Sequence, residues 1–291
     1  RKAAKPASLP QLLIGIVIAL LAVLFGWQPV RDMVIQPPEG SSFAVHFIDV
    51  GQADAALVLC DGASMLIDGG NAADSDLIYT YLEKQQVEQL DYIVCTHAHE
   101  DHVGGLAGAL NYATAKVALC PVTDYDSRAF RSFVEYLDKQ GVSITVPKPG
   151  DSFQLGSAQV TVLGPVAEAS NTNNTSIVLR VVYGATSFLF TGDAETAEEA
   201  DLLDSGTALQ STVLKVGHHG SDTSSSEAFL EAVAPRYAVI SEGKNNSYGH
   251  PSDEVLARLE QLDAVIYRTD LLGDILCTSD GTTVQFSSSR H

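Results

Sequence analysis

The sequence predicts an α/β sandwich, two sheets with helices outside, and three observations carry that expectation. From residue 43 onward, short apolar runs alternate with amphipathic stretches, the order that layered α/β domains follow. The apolar runs are bounded by glycine-containing turns, and no internal repeat at a short fixed period interrupts them. Polar residues with metal-binding or acid–base chemistry fall directly after the runs: Asp68 after LI, His97 after IVCT, Asp193 after FLFTG and His218 after VLKVG. Strands that end in such residues gather their loops along one edge.

The elements follow in order. FAVHFIDV (43–50), ALVLC (56–60) and SMLIDGG (64–70) read as successive strands. Leu77, Ile78, Tyr81 and Leu82 give residues 75–86 a helical spacing. DYIVC (91–95) is a buried strand, and Asp101 and His102 begin the next helix. KVALC (116–120), a helix near 126–140, and strands near 151–155 and 158–163 come next. SIVLRVVYG (176–184) and TSFLFTGD (186–193) form a hairpin turning at Gly184-Ala185. A helix (195–204), a strand (211–217), a helix (225–233), a strand (237–243), a helix (252–262) and short closing strands complete the chain. His46, mid-strand between Val45 and Phe47, reads as a satisfied structural histidine.

The first forty residues stand apart from residues 41–291. Leu12–Trp27 is free of charge, and sixteen residues at about 1.5 Å each span about 24 Å. Flanking residues extend this to 9–30, long enough for a single membrane span. Arg1, Lys2 and Lys5 precede it, which predicts an inside N-terminus and an extracytoplasmic domain on a cell-membrane anchor. A cleaved signal peptide is the rival reading. QPPEGSS (36–42) is a linker. In residues 41–291, 13 lysines and arginines face 34 aspartates and glutamates, a formal charge of −21. Such a surface repels polyanions. The four cysteines form no CxxC pair and read as core residues, a disulfide being the alternative for an exported domain.

The chemistry concentrates in HAHEDH (97–102). His97 and His99, two positions apart, reach the same side of a turning backbone, and Asp101 and His102 follow at once. Imidazoles and a carboxylate suit zinc and similar divalent metals. Capping of a helix start is the structural alternative for Asp101.

This stretch resembles the signature of the metallo-β-lactamase fold hydrolases, a four-layer αββα sandwich. The resemblance implies that His97 and His99 hold one divalent metal and Asp101 and His102 a second. TGDAE (191–195) matches the segment that supplies a bridging Asp, here Asp193. GHHGS (217–221) matches a later histidine segment, with His218 as its ligand. LIDGG (66–70) supplies Asp68, which orients site residues. FIDVGQADAALV (47–58), NNTSIVLRVVYG (173–184), LKVGHHGSDTSSSEAFL (214–230) and NNSYGHPSDEVLARL (245–259) narrow the resemblance to the hydrolase domain of ComEC-type DNA-uptake channel proteins, without the channel.

This chain departs from the wider pattern where a third histidine is usual, near NTNNTS (171–176). Asn173 or Asn174 offers an oxygen there, or His219 or His250 supplies the imidazole. The reduced nitrogen set leaves manganese open beside zinc. Asp49 is placed near the site as a partner for a ligating histidine, with turn capping the alternative. The serine run SDTSSS (221–226) caps a helix, or Ser221 or its backbone holds a substrate phosphate. Asp101 and His250 are assigned to the chemistry itself, and His250 or Lys244 to the departing oxygen. Two adjacent metals activate a water for attack on phosphorus or a carbonyl carbon. The expected function is an extracytoplasmic phosphodiesterase or nuclease acting on DNA. Hydrolysis of a small wall or lipid phosphodiester, or of a lactone or thioester, is the alternative. A metal-stabilised binding module in a DNA-uptake complex, with unidentified protein partners, is the non-enzymatic one.

Overall fold

A computed structural model describes residues 34–169 and 171–290. The anchor expected over residues 9–30 lies outside them, and among the described residues no helix is long and apolar enough to cross a membrane. Among the described residues, fifteen strands form two sheets. β1 (Phe43–Phe47), β2 (Ala56–Cys60), β3 (Ala63–Ile67), β4 (Gln89–Val94), β5 (Thr114–Leu119) and β6 (Ile144–Thr145) open the chain. β7 (Ser152–Leu155), β8 (Ala158–Gly164), β9 (Val178–Tyr183), β10 (Thr186–Phe190), β11 (Val213–Lys215), β12 (Tyr237–Ile240) and β13 (Val265–Arg268) build the second sheet. β14 (Ile275–Ser279) and β15 (Val284–Ser288) return to the first. The orders are β15-β14-β1-β2-β3-β4-β5-β6 and β13-β12-β11-β10-β9-β8-β7.

The sheets pack face to face. Strand side chains alternate between two faces, and Val45, Phe47, Val58, Met65 and Ile67 of the first sheet meet Val160, Val162, Leu179, Val181, Phe188 and Phe190 of the second. Aromatic rings bridge the layers: Phe43 stacks on Tyr183 at 4.9 Å and Tyr92 on Phe153 at 4.0 Å. The opposite face of the second sheet buries Leu189, Leu214 and Ala238 with Phe229, Leu230, Val255 and Leu259, which belong to the helices Glu227–Val233 and Asp253–Gln261. On the far side, the helix Ser75–Lys84 covers the first sheet, and Tyr81 Oη lies 3.0 Å from Nδ1 of the buried His46. All four cysteines are buried free thiols, as the core reading expected.

Within each sheet the strands that run parallel are β3 to β6 and β10 to β13. Their carboxyl ends release Asp68, His97, Asp193 and His218. Ligand sites of α/β sheets form at such ends. The expected strands over 64–70 and 186–193 stop short of Asp68 and Asp193, because Asp68 and Gly192 take left-handed backbone angles that leave the ladder, and His218 and His219 do the same after β11. The helix after the histidine motif starts at Glu100, and a further helix, Leu106–Tyr112, follows it.

Two glycine pairs lock this edge. A Cβ on Gly105 would lie 1.9 Å from Gly69 O, so the backbones touch where only glycine fits. Gly69 N donates to His102 O at 2.8 Å, Gly105 N to Gly70 O at 3.1 Å, and Asp54 N to Asp101 O at 3.1 Å. Gly105→Ala must push β3 and the metal-motif helix apart. Overpacking of this kind costs roughly 3 kcal/mol, which lowers the melting temperature by about 10 °C in a domain of this size. A thermal scan checks it, and an unchanged melting temperature would contradict the packing described.

Candidate metal centre

Asp193 is the hub. It is 2% exposed, follows the Gly192 turn, and its N–H donates to Ser176 Oγ at 3.0 Å. Its Oδ1 lies 3.2 Å from His102 Nε2 and 3.8 Å from His219 Nε2. Its Oδ2 lies 3.8 Å from both His97 Nε2 and His218 Nε2. One carboxylate therefore faces two sets of imidazoles, one through each oxygen.

The Oδ1 side is the tighter one. Asp101, His102, Asp193 and His219 each offer a donor atom, all within 4.8 Å of one another. His102 Nε2, His219 Nε2 and Asp193 Oδ1 are buried and hydrogen-bond to nothing. The tautomers follow from the partners of the other ring nitrogens. His219 Nδ1 lies 3.0 Å from Ser241 O, which only accepts, so Nδ1 carries the hydrogen and Nε2 the lone pair. His102 Nδ1 likewise meets the Asp68 carboxylate at 2.9 Å. Buried polar atoms without partners are costly, and three convergent lone pairs are what a cation takes up. The donor set fits a divalent metal.

The Oδ2 side is looser. His97 Nε2 is 3.1 Å from His99 Nδ1. His218 Nδ1 contacts Thr223 Oγ1 at 3.0 Å and Glu195 Oε1 at 3.6 Å, which leaves Nε2 toward Asp193. Asn173 lines the cleft and its Oδ1 is buried without a partner.

The electrostatics show how strongly these groups act on one another. Burial works against a charged His102, but Asp193 and Asp68 on its two sides outweigh it and hold the imidazole well above its usual value. Burial also opposes a charged His219, and Asp193 and Asp54 raise it nonetheless. Burial disfavours the Asp193 carboxylate, yet His102 and His219 hold it well below the usual carboxylate range. Asp101 is depressed too: burial opposes its charge, but the close imidazoles of His219 and His102 outweigh it. His97 is pushed well down by burial and then by His102. A divalent cation at these atoms competes with the same protons.

The structure brings His97, His99, Asp101, His102, Asp193, His218 and His219 together. His219, expected among the supporting residues, sits in the tight donor group, and His218 stands on the looser side. Asp101 does not cap its helix, since His99 is the cap residue, and its carboxylate reaches to 3.4 Å from His219 Nε2. Asp68 orients as expected: it accepts from Thr96 N at 2.8 Å and Thr96 Oγ1 at 2.7 Å besides contacting His102. His250 lines the cleft, its Nδ1 3.4 Å from Gln52 Nε2. Burial, then His218 and His219, lower its pKa.

Four expected residues lie elsewhere. Asp49 accepts from Gly51 N at 3.3 Å and from Arg290 Nη2 at 2.8 Å, so it serves a turn and an ion pair. Asn174 Oδ1 accepts from Glu195 N at 2.8 Å and builds the loop that presents Asn173. Ser221 Oγ is tied to Thr223 at 3.1 Å. Lys244 is exposed and does not line the cleft.

The residues that the sequence reading missed are Asp54 and Lys215. Asp54 Oδ1 lies 3.6 Å from His219 Nδ1, and Lys215 Nζ donates to Asp54 Oδ2 at 2.8 Å, both side chains almost fully buried. The period-two pattern of STVLKVG was the available signal, because a lysine between Leu214 and Val216 in a buried strand needs a charged partner.

The family model "Metallo-beta-lactamase superfamily" matches residues 48–243. The chain belongs to the metallo-beta-lactamase superfamily. Its members are generally metal-dependent hydrolases, which typically hold two divalent ions. ComE operon protein 3 of Bacillus subtilis (strain 168) is 31% identical over 289 residues, covering 92% of this chain and 36% of that protein. Competence protein ComA of Neisseria gonorrhoeae is 32% identical over 280 residues, covering 92% of this chain and 38% of that protein. The resemblance to ComEC-type proteins therefore holds, and the chain spans little more than a third of these relatives' length. Among solved structures, the metallo-beta-lactamase fold protein YhfI from Bacillus subtilis superposes with a TM-score of 0.52 at 12% identity, covering 84% of this chain and all of that one, which speaks for the fold.

Lys215→Met leaves the Asp54 carboxylate buried without its cation, a change that costs about 3 kcal/mol. Urea unfolding in the presence of a chelator should show that loss. The double variant Asp54→Asn/Lys215→Met should recover part of it. Wild-type stability for Lys215→Met would remove the pair from the site's support.

Proposed function

We propose that this chain is a dinuclear metal-dependent phosphodiesterase that acts on nucleic acid, carried on a membrane anchor at residues 9–30 with residues 41–291 extracytoplasmic. The observation that carries the metal reading is the set of buried, unpartnered lone pairs on His102 Nε2, His219 Nε2 and Asp193 Oδ1. Asp101, His102 and His219 would hold one ion. His97, His99 and His218, with Asn173 beside them, would hold the other, and Asp193 would face both. Ions at these places supply Lewis acidity and an activated water. The imidazole and carboxylate set accommodates zinc or manganese.

The chain's own groups do the rest. Asp68 and Ser241 O fix the tautomers of His102 and His219, so lone pairs point inward without reorganisation. Asp54, held by Lys215, backs His219. Coordinating histidines normally have such partners on the other nitrogen. His250, kept neutral by its surroundings, hydrogen-bonds the departing oxygen from the mouth of the cleft. The cleft measures about 470 Å³ and is lined by Gln52, His99, Asp101, Asp193, His218 and His250 among others. A volume of that order takes a small ligand or a few groups of a larger one.

Two findings support phosphodiester chemistry on nucleic acid: the family, and relatives named for competence. The formal charge of −21 limits how much polyanion the surface tolerates, which supports contact with a short stretch of strand. The same charge favours the second reading, a small wall or lipid phosphodiester.

Turnover of bis-p-nitrophenyl phosphate by the purified chain with added manganese or zinc tests the reading. Turnover is expected, and Asp193→Asn should cut it more than about 100-fold, beyond the usual effect of losing a supporting residue. Bound metal without turnover of any phosphodiester would move the function to carbonyl esters or to a binding role.

A further inference from the structure

Tyr248 is the most exposed large hydrophobic side chain among the described residues, 72% accessible, and it lines the cleft. Its ring lies nearly parallel to His250, with centroids 5.7 Å apart and planes at 27°. The His250 ring is in turn 5.7 Å from His218. Two ring contacts therefore link a solvent-facing aromatic to a histidine 3.8 Å from Asp193.

An exposed aromatic on a loose loop would mean little, but this loop is built. Asn246 uses all its hydrogen-bonding capacity to hold it. Its Nδ2 donates to Gly243 O at 3.1 Å and to His250 O at 2.5 Å. Its Oδ1 accepts from Tyr248 N at 3.1 Å and His250 N at 3.0 Å. Gln52 fastens the base of the loop through Gly243 N at 3.1 Å and reaches His250. The backbone that carries the ring is thus pre-positioned, and a ligand that uses the ring does not have to order the loop. Exposing so much of a tyrosine beside a polar cleft serves no packing purpose in the described chain.

Resting on the phosphodiesterase reading, we propose that Tyr248 is a stacking platform for an unpaired nucleobase next to the scissile phosphate. A flat π-face at the cleft mouth suits a planar base, which every nucleotide offers regardless of sequence. Paired bases keep their faces in the duplex stack, so this platform selects single strands or strand ends. Stacking also supplies affinity that needs no positive charge, which the acidic surface cannot provide.

The test compares two chromogenic diesters with the same leaving group, thymidine 5′-(p-nitrophenyl phosphate) and methyl p-nitrophenyl phosphate, on the metal-loaded chain. Base–aromatic stacking predicts that KM for the thymidine ester is about tenfold lower than for the methyl ester. Tyr248→Ala should bring that KM ratio to about one, and Tyr248→Phe should keep it. Because the ratio is internal to each variant, loss of fold does not mimic the effect. Turnover of both esters by the wild type with equal KM, or a ratio preserved in Tyr248→Ala, overturns the platform and leaves the phosphodiesterase standing. Turnover of neither ester sinks both.

Discussion

The site depends on one constraint: a carboxylate, Asp193, held almost out of water between four imidazoles. Such a group is tolerated only where positive charge or a cation compensates it. Each oxygen faces a different pair of histidines, His102 and His219 at Oδ1, His97 and His218 at Oδ2. With Asp193 itself, these residues come from three segments far apart in sequence, 97–102, 191–195 and 217–221. Bringing them within reach of one side chain requires both sheets to end their parallel strands at the same edge, and the inter-sheet core fixes that alignment. The left-handed backbone at His218 and His219 belongs to the same constraint. Two consecutive non-glycine residues in that region are strained, and the strain turns two adjacent imidazoles to different oxygens of one carboxylate.

Around this centre the structure layers its support. Asp68 and Thr96 hold His102, Ser241 and Asp54 hold His219, and Lys215 neutralises Asp54 from below. The grouping of Asp54, Asp68 and His102 also has metal-like spacing. Three of its four carboxylate oxygens, however, bond Lys215, Thr96 or His102, so it reads as a scaffold. The domain's negative charge has the same logic at larger scale. It suits cations and repels polyanions.

Much of this was legible in the sequence. The hairpin turning at Gly184-Ala185 is present as expected, with Tyr183 opposite Thr186, because a two-residue glycine turn between apolar runs fixes its own register. HAHEDH announced itself by composition, and Asp68 by its place after a strand. Hidden from sequence were the relations set by long-range packing. Asp49 and Asp54 flank the same turn and are chemically alike, yet only Asp54 reaches His219, since the chain turns between them. Asn173 and Asn174 differ only in which side of a short helical turn they occupy. His218 and His219 were interchangeable on paper, and a backbone conformation unusual for histidine decides between them. The pairing of Lys215 with a residue 161 positions away could not be read from spacing.

The central claim is that Asp193 is shared by two ions. Anomalous diffraction from crystals grown with manganese, at the metal edge, tests it most directly. The account predicts two peaks per chain, about 3.5–4 Å apart, one beside Asp101, His102 and His219 and the other beside His97, His99 and His218, with Asp193 touching both. A single peak, or two that Asp193 does not bridge, would contradict it.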